Sequence, residues 1–388
     1  MAMIGGWRVL SLFVITSLFA FEEWVSRPAC KVIPSSNPGE AFEYGEDPED
    51  LKVMMVADLL LLGPEAGYVN HFFRYYYMSK FFRKSFESLK PDLLLVLGDI
   101  SAKGSELTKS KWMPVLRRFY QMLGPFVGLP LHVILGDRDI GKCSDIDVEK
   151  IKWIAKKFPG LDPSGCGAFE IGNTSFVSLN AVALLCGKNN LRFDVEKVIE
   201  SESLELHMEA EGETEAAHGS INFRDAHNFG WRESTISSGS GPVLLLHFPL
   251  DRARNGHYGG VGALRTNSKL EGLNVPKRRK LVGADPYKLF QTLPANATEY
   301  IFQALKPRII FSAHRHEFSD YIHLDKTREV TVPTMSWNAK DDPGFVVATF
   351  QKSGKAVSIS YCSLARESHI LLVYIFIVVI LCLACLKG

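Results

Sequence analysis

The 388-residue sequence has no excess of either charge, because 44 lysines and arginines stand against 43 aspartates and glutamates. This balance gives no whole-chain electrostatic case for binding nucleic acid. Cysteine is scarce, and the five cysteines that precede the C-terminal apolar segment contain no Cys-x-x-Cys pair with zinc-site spacing. A thiolate zinc site is therefore not predicted there. Hydrophobic residues make up 46% of the chain, which excludes an overall disordered protein.

Five short polar segments each follow a run of apolar residues, the pattern of a strand covered on both faces. They contain Asp58, Gly98-Asp99, Gly136-Asp137-Arg138-Asp139, His247 and His314-Arg315-His316. Strands and amphipathic helices alternate between residues 51 and 135, an order that predicts a parallel sheet with right-handed crossovers. Because the carboxyl ends of parallel strands meet at one edge, we expect these carboxylates and imidazoles to gather in a metal site.

Two metal ions that cleave a phosphate ester need a bridging carboxylate and terminal nitrogen or oxygen ligands. Asp99 suits the bridge, because the glycine before it lets the backbone turn sharply at the strand end. His314 and His316 can reach separate metals, and His247 adds a ligand from another strand. Each motif alone is weak, since a His-x-His is more often a surface pair. The prediction depends on the five segments occurring together, each at a strand end.

The order of these segments resembles the calcineurin-like metallophosphoesterase pattern D-x-H, G-D, G-N-H-D/E, H and G-H-x-H over about residues 51–350. The chain most resembles the membrane-anchored branch that removes ethanolamine-phosphate from GPI-anchor glycans. GDRDIG at 136–141, LLHFPL at 245–250 and PTMSWNAKDDPGF at 333–345 carry this likeness. The resemblance implies an α/β fold, a four-layer α/β/β/α sandwich with N- and C-terminal membrane segments. It also implies one or two divalent ions, most often manganese.

By the same resemblance six residues are metal ligands: Asp58, Asp99, Asp137, His247, His314 and His316. Four positions depart from the pattern. Two changes are mild, since Asp137 stands for an asparagine and can ligate more strongly because it is charged, and Ala313 stands for a glycine. The other two affect a metal ligand and the acid. Leu60 stands where the first metal would have a histidine, and Arg138 stands where the catalytic histidine would be. Arginine clamps phosphate but does not donate a proton near neutral pH, so Arg138 with Asp139 is predicted to stabilise charge. A salt-bridged surface turn at Asp137-Arg138-Asp139 is the alternative.

The ends of the chain predict membrane attachment. Residues 1–25 are expected to form a signal anchor or signal peptide, and residues 26–50 a lumenal stem. The phosphoesterase domain is expected at 51–365, with a polar insertion at about 200–241. Residues 368–387, which include 17 consecutive uncharged residues, predict a transmembrane helix about 25 Å long. The location that follows is the ER or Golgi membrane, with the catalytic domain in the lumen.

Two further features agree with a lumenal domain. The sequons at Asn173 and Asn296 are candidate glycosylation sites, both in predicted surface turns. Five cysteines are candidates for one or two disulfides plus a spare thiol: Cys30, Cys143, Cys166, Cys186 and Cys362.

We therefore expect a metal-dependent phosphodiesterase of the secretory pathway. Its expected substrate is the ethanolamine-phosphate of a GPI glycan or a related phospho-glycolipid, and this remodelling would support transport of GPI-anchored proteins. The rival is a catalytically impaired relative that binds phosphoglycans as a cargo adaptor. The third hypothesis is a phosphatase with the same fold that acts on phosphoproteins or nucleotides.

Overall fold

The computed structural model describes residues 2–34, 50–126, 128–186, 190–217, 241–252, 292–352 and 356–387. They fall into two units, Met1–Leu131 with Pro333–Gly388, and His132–Val332. The strands are β1 (Ala29–Ile33), β2 (Leu51–Val56), β3 (Leu93–Leu97), β4 (Leu131–Ile134), β5 (Gly167–Ile171), β6 (Thr174–Ser178), β7 (Val243–Leu245), β8 (Ile309–Ser312), β9 (Ser319–Ile322), β10 (Arg328–Thr331), β11 (Gly344–Phe350) and β12 (Val357–Ser363). The helices are α1 (Ala2–Val25), α2 (Tyr75–Leu89), α3 (Lys109–Leu123), α4 (Asp137–Ile140), α5 (Val148–Ala155), α6 (Ala181–Leu185), α7 (Asn190–Ala217), α8 (Ala295–Leu305) and α9 (Glu367–Lys387).

The first unit contains a mixed sheet in which consecutive neighbours are β1, β12, β11, β2 and β3. Strands β2 and β3 pair in parallel, and every residue of β3 is buried. Strand β11 runs antiparallel to both β2 and β12. The apolar runs at 51–57 and 93–97 are therefore buried strands, as their sequence predicts, and both lead directly into acidic residues.

The second unit contains a mixed sheet in the order β5-β6-β7-β8-β10-β9. Strands β6, β7 and β8 pair in parallel, which brings the ends of β7 and β8 side by side. Strands β5 and β6 form the predicted antiparallel hairpin, with Asn173 in its turn at φ +55°. The turn predicted at Asn296 is wrong, because that residue lies in the first turn of α8.

One segment differs from its predicted character, and a second lies only partly within the described residues. Strand β1 lies inside the segment 26–50 interpreted as a stem, and it pairs along its whole length with β12. Residues 35–49 of that segment lie outside the described residues. Helix α7 enters the predicted polar insertion and continues to Ala217, whereas residues 218–240 of the insertion lie outside the described residues.

Across the part of the chain that the structure describes, no helix combines the length and the hydropathy needed to cross a membrane.

Two disulfides confirm the prediction made from the cysteines. Cys30–Cys362 joins β1 to β12 at paired positions of the first sheet. Cys143–Cys186 closes a loop of the second unit, shortly after α4. Cys166 is the buried spare thiol, and burial raises its pKa to about 12, so it stays protonated.

Peptide mapping under non-reducing conditions should find these two pairs. Replacing Cys143 and Cys186 by serine should lower the free energy of unfolding by about 2–4 kcal/mol, because the unfolded chain regains the entropy of an open loop. Replacing the exposed Cys382 by serine should leave that free energy unchanged. A double variant as stable as its parent would contradict the pairing.

Candidate metal centre

The second unit brings three predicted ligands together at the ends of its parallel strands. His247 follows β7 by two residues, and His314 follows β8 by two residues. The amide of Ala313 donates a hydrogen bond to the carbonyl of His247 at 3.0 Å, which joins the two histidine loops directly. Asp137 is the first residue of α4, immediately beyond the loop that leaves β4.

The side chains of these three residues converge on one carboxylate oxygen. Asp137 Oδ1 lies 3.1 Å from His247 Nε2 and 3.2 Å from His314 Nδ1. Their candidate ligand atoms all lie within 4.8 Å of one another. His247 and Asp137 are buried, and His314 is half-buried, so the group opens toward solvent on one side. One carboxylate and two imidazoles form a donor set that suits a divalent transition metal.

The electrostatics of the group keep Asp137 ionised. Burial by itself raises the pKa of this carboxyl. The hydrogen bonds and charges of His247 and His314 act in the opposite direction and prevail, so the pKa lies well below its usual range. The Asp137 carboxylate is therefore available to a cation without losing a proton of its own, whereas the two imidazole nitrogens must give up the protons that they share with it.

The backbone is left-handed at four of the six predicted ligand positions. Among the described non-glycine residues nine have positive φ. Four of these are predicted ligands, Asp58 (50°), Asp99 (52°), His314 (66°) and His316 (58°), and a fifth is Leu60 (49°). The other four lie where such values are ordinary, at two helix ends and two turns: Lys90, Lys306, Asn173 and Lys326. A left-handed residue with a side chain costs about 1–2 kcal/mol, and such strain gathers at functional sites.

The first unit holds the other two predicted acidic ligands, both in left-handed backbone. Asp58 and Asp99 are fully buried, and their candidate ligand oxygens lie within 4.8 Å of each other. The amide of Asp58 donates to the carbonyl of Gly98 at 3.1 Å, and the amide of Leu60 donates to the carbonyl of Asp99 at 3.0 Å. Leu60 is buried and has the same left-handed backbone as Asp58 and Asp99, although its side chain offers no ligand atom.

The remaining predicted residues are placed differently. Arg138 is exposed in the single turn of α4. Asp139 is buried, and its carboxylate accepts a hydrogen bond from the amide of Gly136 at 3.2 Å, so it caps that turn. His316 is half-buried and outside the group formed by Asp137, His247 and His314, so its role as a ligand stays a prediction.

Two side chains that the sequence did not identify as functional hold the Asp58 loop. The hydroxyl of Thr334 donates to the carbonyl of Asp58 at 2.9 Å, and the side-chain amide of Asn338 donates to the carbonyl of Leu60 at 3.1 Å. Both lie in the segment 333–345 that carried the resemblance, so the signal was present without an assigned role. Their donated hydrogen bonds hold the loop that carries two strained residues.

Comparison with known proteins agrees with this geometry. The family described as calcineurin-like phosphoesterase matches residues 51–318, more than half of the chain. The chain belongs to this family. Metallophosphoesterase 1 of Xenopus laevis is 28% identical over 330 residues, which cover 84% of this chain and 75% of that protein. Metallophosphoesterase 1 of Danio rerio is 26% identical over 371 residues, covering 94% and 88%.

Solved structures with a similar arrangement include two phosphatases. A dimetal phosphatase from Danio rerio aligns with a TM-score of 0.41 and 11% identity, covering 78% of this chain and 93% of that one. A purple acid phosphatase from yellow lupin (Lupinus luteus) seeds aligns with a TM-score of 0.43 and 12% identity, covering 83% and 55%.

Restoring a ligand at Leu60 should strengthen metal binding. Because the backbone there already has the left-handed conformation beside two carboxylates, Leu60→His should bind manganese more tightly than the parent in a calorimetric titration. Leu59→His is the matched control, since Leu59 is equally buried but lacks that backbone conformation. Equal affinities for the parent and Leu60→His would contradict a retained ligand loop.

Proposed function

We propose that the chain is a metal-dependent phosphodiesterase that removes ethanolamine-phosphate from GPI-anchor glycans or from a related phospho-glycolipid. The observation that supports it most is the convergence of Asp137, His247 and His314 around a single carboxylate oxygen. Surface histidine pairs do not explain this arrangement, because His247 is completely buried and reaches an ionised acid.

Asp137, His247 and His314 would hold a divalent ion, for which we propose manganese. A bound ion of this kind neutralises phosphate oxygens and lowers the pKa of a water molecule, so that the nucleophile need not come from the protein. His247 is fixed by burial and by the backbone link from Ala313, which leaves its Nε2 directed at Asp137. Asp58 and Asp99 form a second pair of oxygen donors within the first unit.

Arg138 and Asp139 would have two different roles, phosphate binding and the positioning of Asp137. Arg138 is exposed next to Asp137, where its guanidinium can hold phosphate oxygens as charge develops. It cannot protonate the leaving oxygen, so that proton would come from solvent. Asp139 caps α4 and thereby sets the direction of Asp137, a positioning role.

The proposed location is the ER or Golgi membrane with the phosphoesterase units in the lumen. Two disulfides support an oxidising compartment. Helices α1 and α9 expose several large apolar side chains, which supports attachment to a lipid surface. A GPI glycan is itself carried on a lipid, so such attachment would bring enzyme and substrate to the same surface.

The second candidate is a catalytically impaired relative that binds phosphoglycans as a cargo adaptor. Leu60 and Arg138 favour it, because each replaces a histidine of the family pattern. In such an adaptor Arg138 would bind phosphate groups of the glycan without supporting their hydrolysis.

Hydrolysis of bis(p-nitrophenyl) phosphate by the purified full chain separates the two candidates. We expect turnover in manganese that is lost in Asp137→Ala, because the methyl side chain offers no ligand oxygen. Asp162→Ala is the matched control, since Asp162 accepts hydrogen bonds from Ser164 and Cys166 elsewhere in the second unit. Metal binding without turnover would favour the adaptor, and absence of both would contradict the proposal.

Glycosylation tests the lumenal location independently of activity. Asn173 is exposed in a hairpin turn, so we expect it to carry a glycan when the chain is expressed in cells. Asn173→Gln and Ser175→Ala both destroy the same sequon. Each variant should therefore lose one shift in electrophoretic mobility that a deglycosylating enzyme produces in the parent. We expect Asn296 to remain unmodified, because the Thr298 hydroxyl is buried and accepts from the amide of Asp251. A chain without any glycan would argue against the lumen.

A further inference from the structure

A buried polar network lies beside the histidine loops of the second unit. At its centre is Arg252, five residues after His247, with a side chain only 8% exposed. Its Nη2 donates to Thr331 Oγ1 at 2.9 Å and to Ser319 Oγ at 3.1 Å. Its guanidinium also lies over the ring of Tyr321, at 4.9 Å from the centroid. The loop that carries His247 is thus fastened to β9 and β10.

The same network reaches the loop that carries His314. Glu329 is completely buried and lies 3.7 Å from Arg252. Glu329 Oε1 accepts a hydrogen bond from Ser312 Oγ at 2.6 Å, and its Oε2 lies 2.7 Å from His323 Nε2. Ser312 is the last residue of β8, two residues before His314. A single buried arginine therefore connects the exits of both histidine strands.

Stability alone does not account for this arginine. A buried ion pair is often no more stable than apolar side chains of the same volume. Arg252 also keeps Nε and Nη1 buried, and the described part of the chain offers neither of them an acceptor. An apolar residue would avoid that desolvation cost. The arrangement therefore indicates a requirement for fixed geometry.

The part of the site that requires fixed geometry is the strained backbone of His314. A φ of +66° persists only where the surroundings determine it. The carbonyl of Ser312 accepts from the amide of Val332 at 2.7 Å, and the amide of Ala313 donates to His247. Arg252 and Glu329 fix the side chains on either side of these backbone links. Loss of either side chain would leave only these backbone links to hold the His314 loop.

We propose that Arg252 is a positioning residue that holds His247 and His314 in metal-binding geometry through Glu329 and Ser312. The inference rests on the proposed metal site and adds a residue outside the ligand set. Supporting residues of this kind are typically associated with a 10–100-fold effect on metal affinity.

The test is calorimetric titration of the purified full chain with manganese. Arg252→Met should weaken binding about 10–100-fold. Arg252→Lys should recover part of that loss, because the ammonium group keeps the positive charge and the hydrogen-bond donors but lacks the planar guanidinium that lies over Tyr321. The melting temperature without metal is recorded for each variant, to separate the affinity from general stability.

Arg328→Met is the matched control. Arg328 is 11% exposed and lies in the same sheet, but it pairs with Asp320 at 2.8 Å and 3.0 Å and not with Ser312. We expect this variant to melt earlier and yet bind manganese as the parent does. If Arg328→Met loses as much affinity as Arg252→Met, or if Arg252→Met binds like the parent, the positioning role is refuted.

If Arg252→Met does not fold, Arg252→Lys decides: weakened binding beside an unaffected Arg328→Met supports the role, and parental binding refutes it. If the parent binds no manganese, the proposed metal site fails together with this inference. Parental binding that survives in every variant overturns the positioning role alone.

Discussion

The left-handed backbone at the strand ends is the constraint on which the candidate site depends. Five side chains leave their strands through a conformation that costs about 1–2 kcal/mol per residue. This conformation lets a residue turn abruptly away from the strand it follows. Within each unit parallel strands bring neighbouring turns together, and backbone hydrogen bonds hold them: Ala313 to His247 in the second unit, and Leu60 to Asp99 in the first.

Electrostatics then depend on that geometry. Burial of Asp137 would favour its protonated form, and only the two imidazoles held against it reverse the balance. A small rotation of His314 would remove one hydrogen bond and allow the carboxyl pKa to rise. The rigid support beneath the histidine loops therefore serves the charge of the site as well as its shape.

The sequence predicts the strands at this site well, because buried parallel strands give continuous apolar runs. Leu93–Leu97 and Gly344–Phe350 are strands whose residues are almost all buried, and the predicted turn at Asn173 closes a hairpin. The convergence of Asp137 with two histidines follows from strand order. Strand β1 and the helical position of Asn296 could not be predicted, because they depend on pairing and packing with distant residues. The left-handed φ values at Asp58 and His314 could not be predicted either, because neither residue is a glycine.

Leu60 shows what maintains the site. A leucine gains nothing from a metal, and a left-handed backbone disfavours it, yet Leu60 keeps φ +49°. Its amide is bonded to Asp99 and its carbonyl to Asn338, so the surrounding hydrogen bonds impose the conformation whatever the side chain is. Asp58 is held in the same way by Gly98 and Thr334. The loop geometry is therefore a property of the folded unit, and loss of one ligand removes a donor atom without dismantling the loop that presented it.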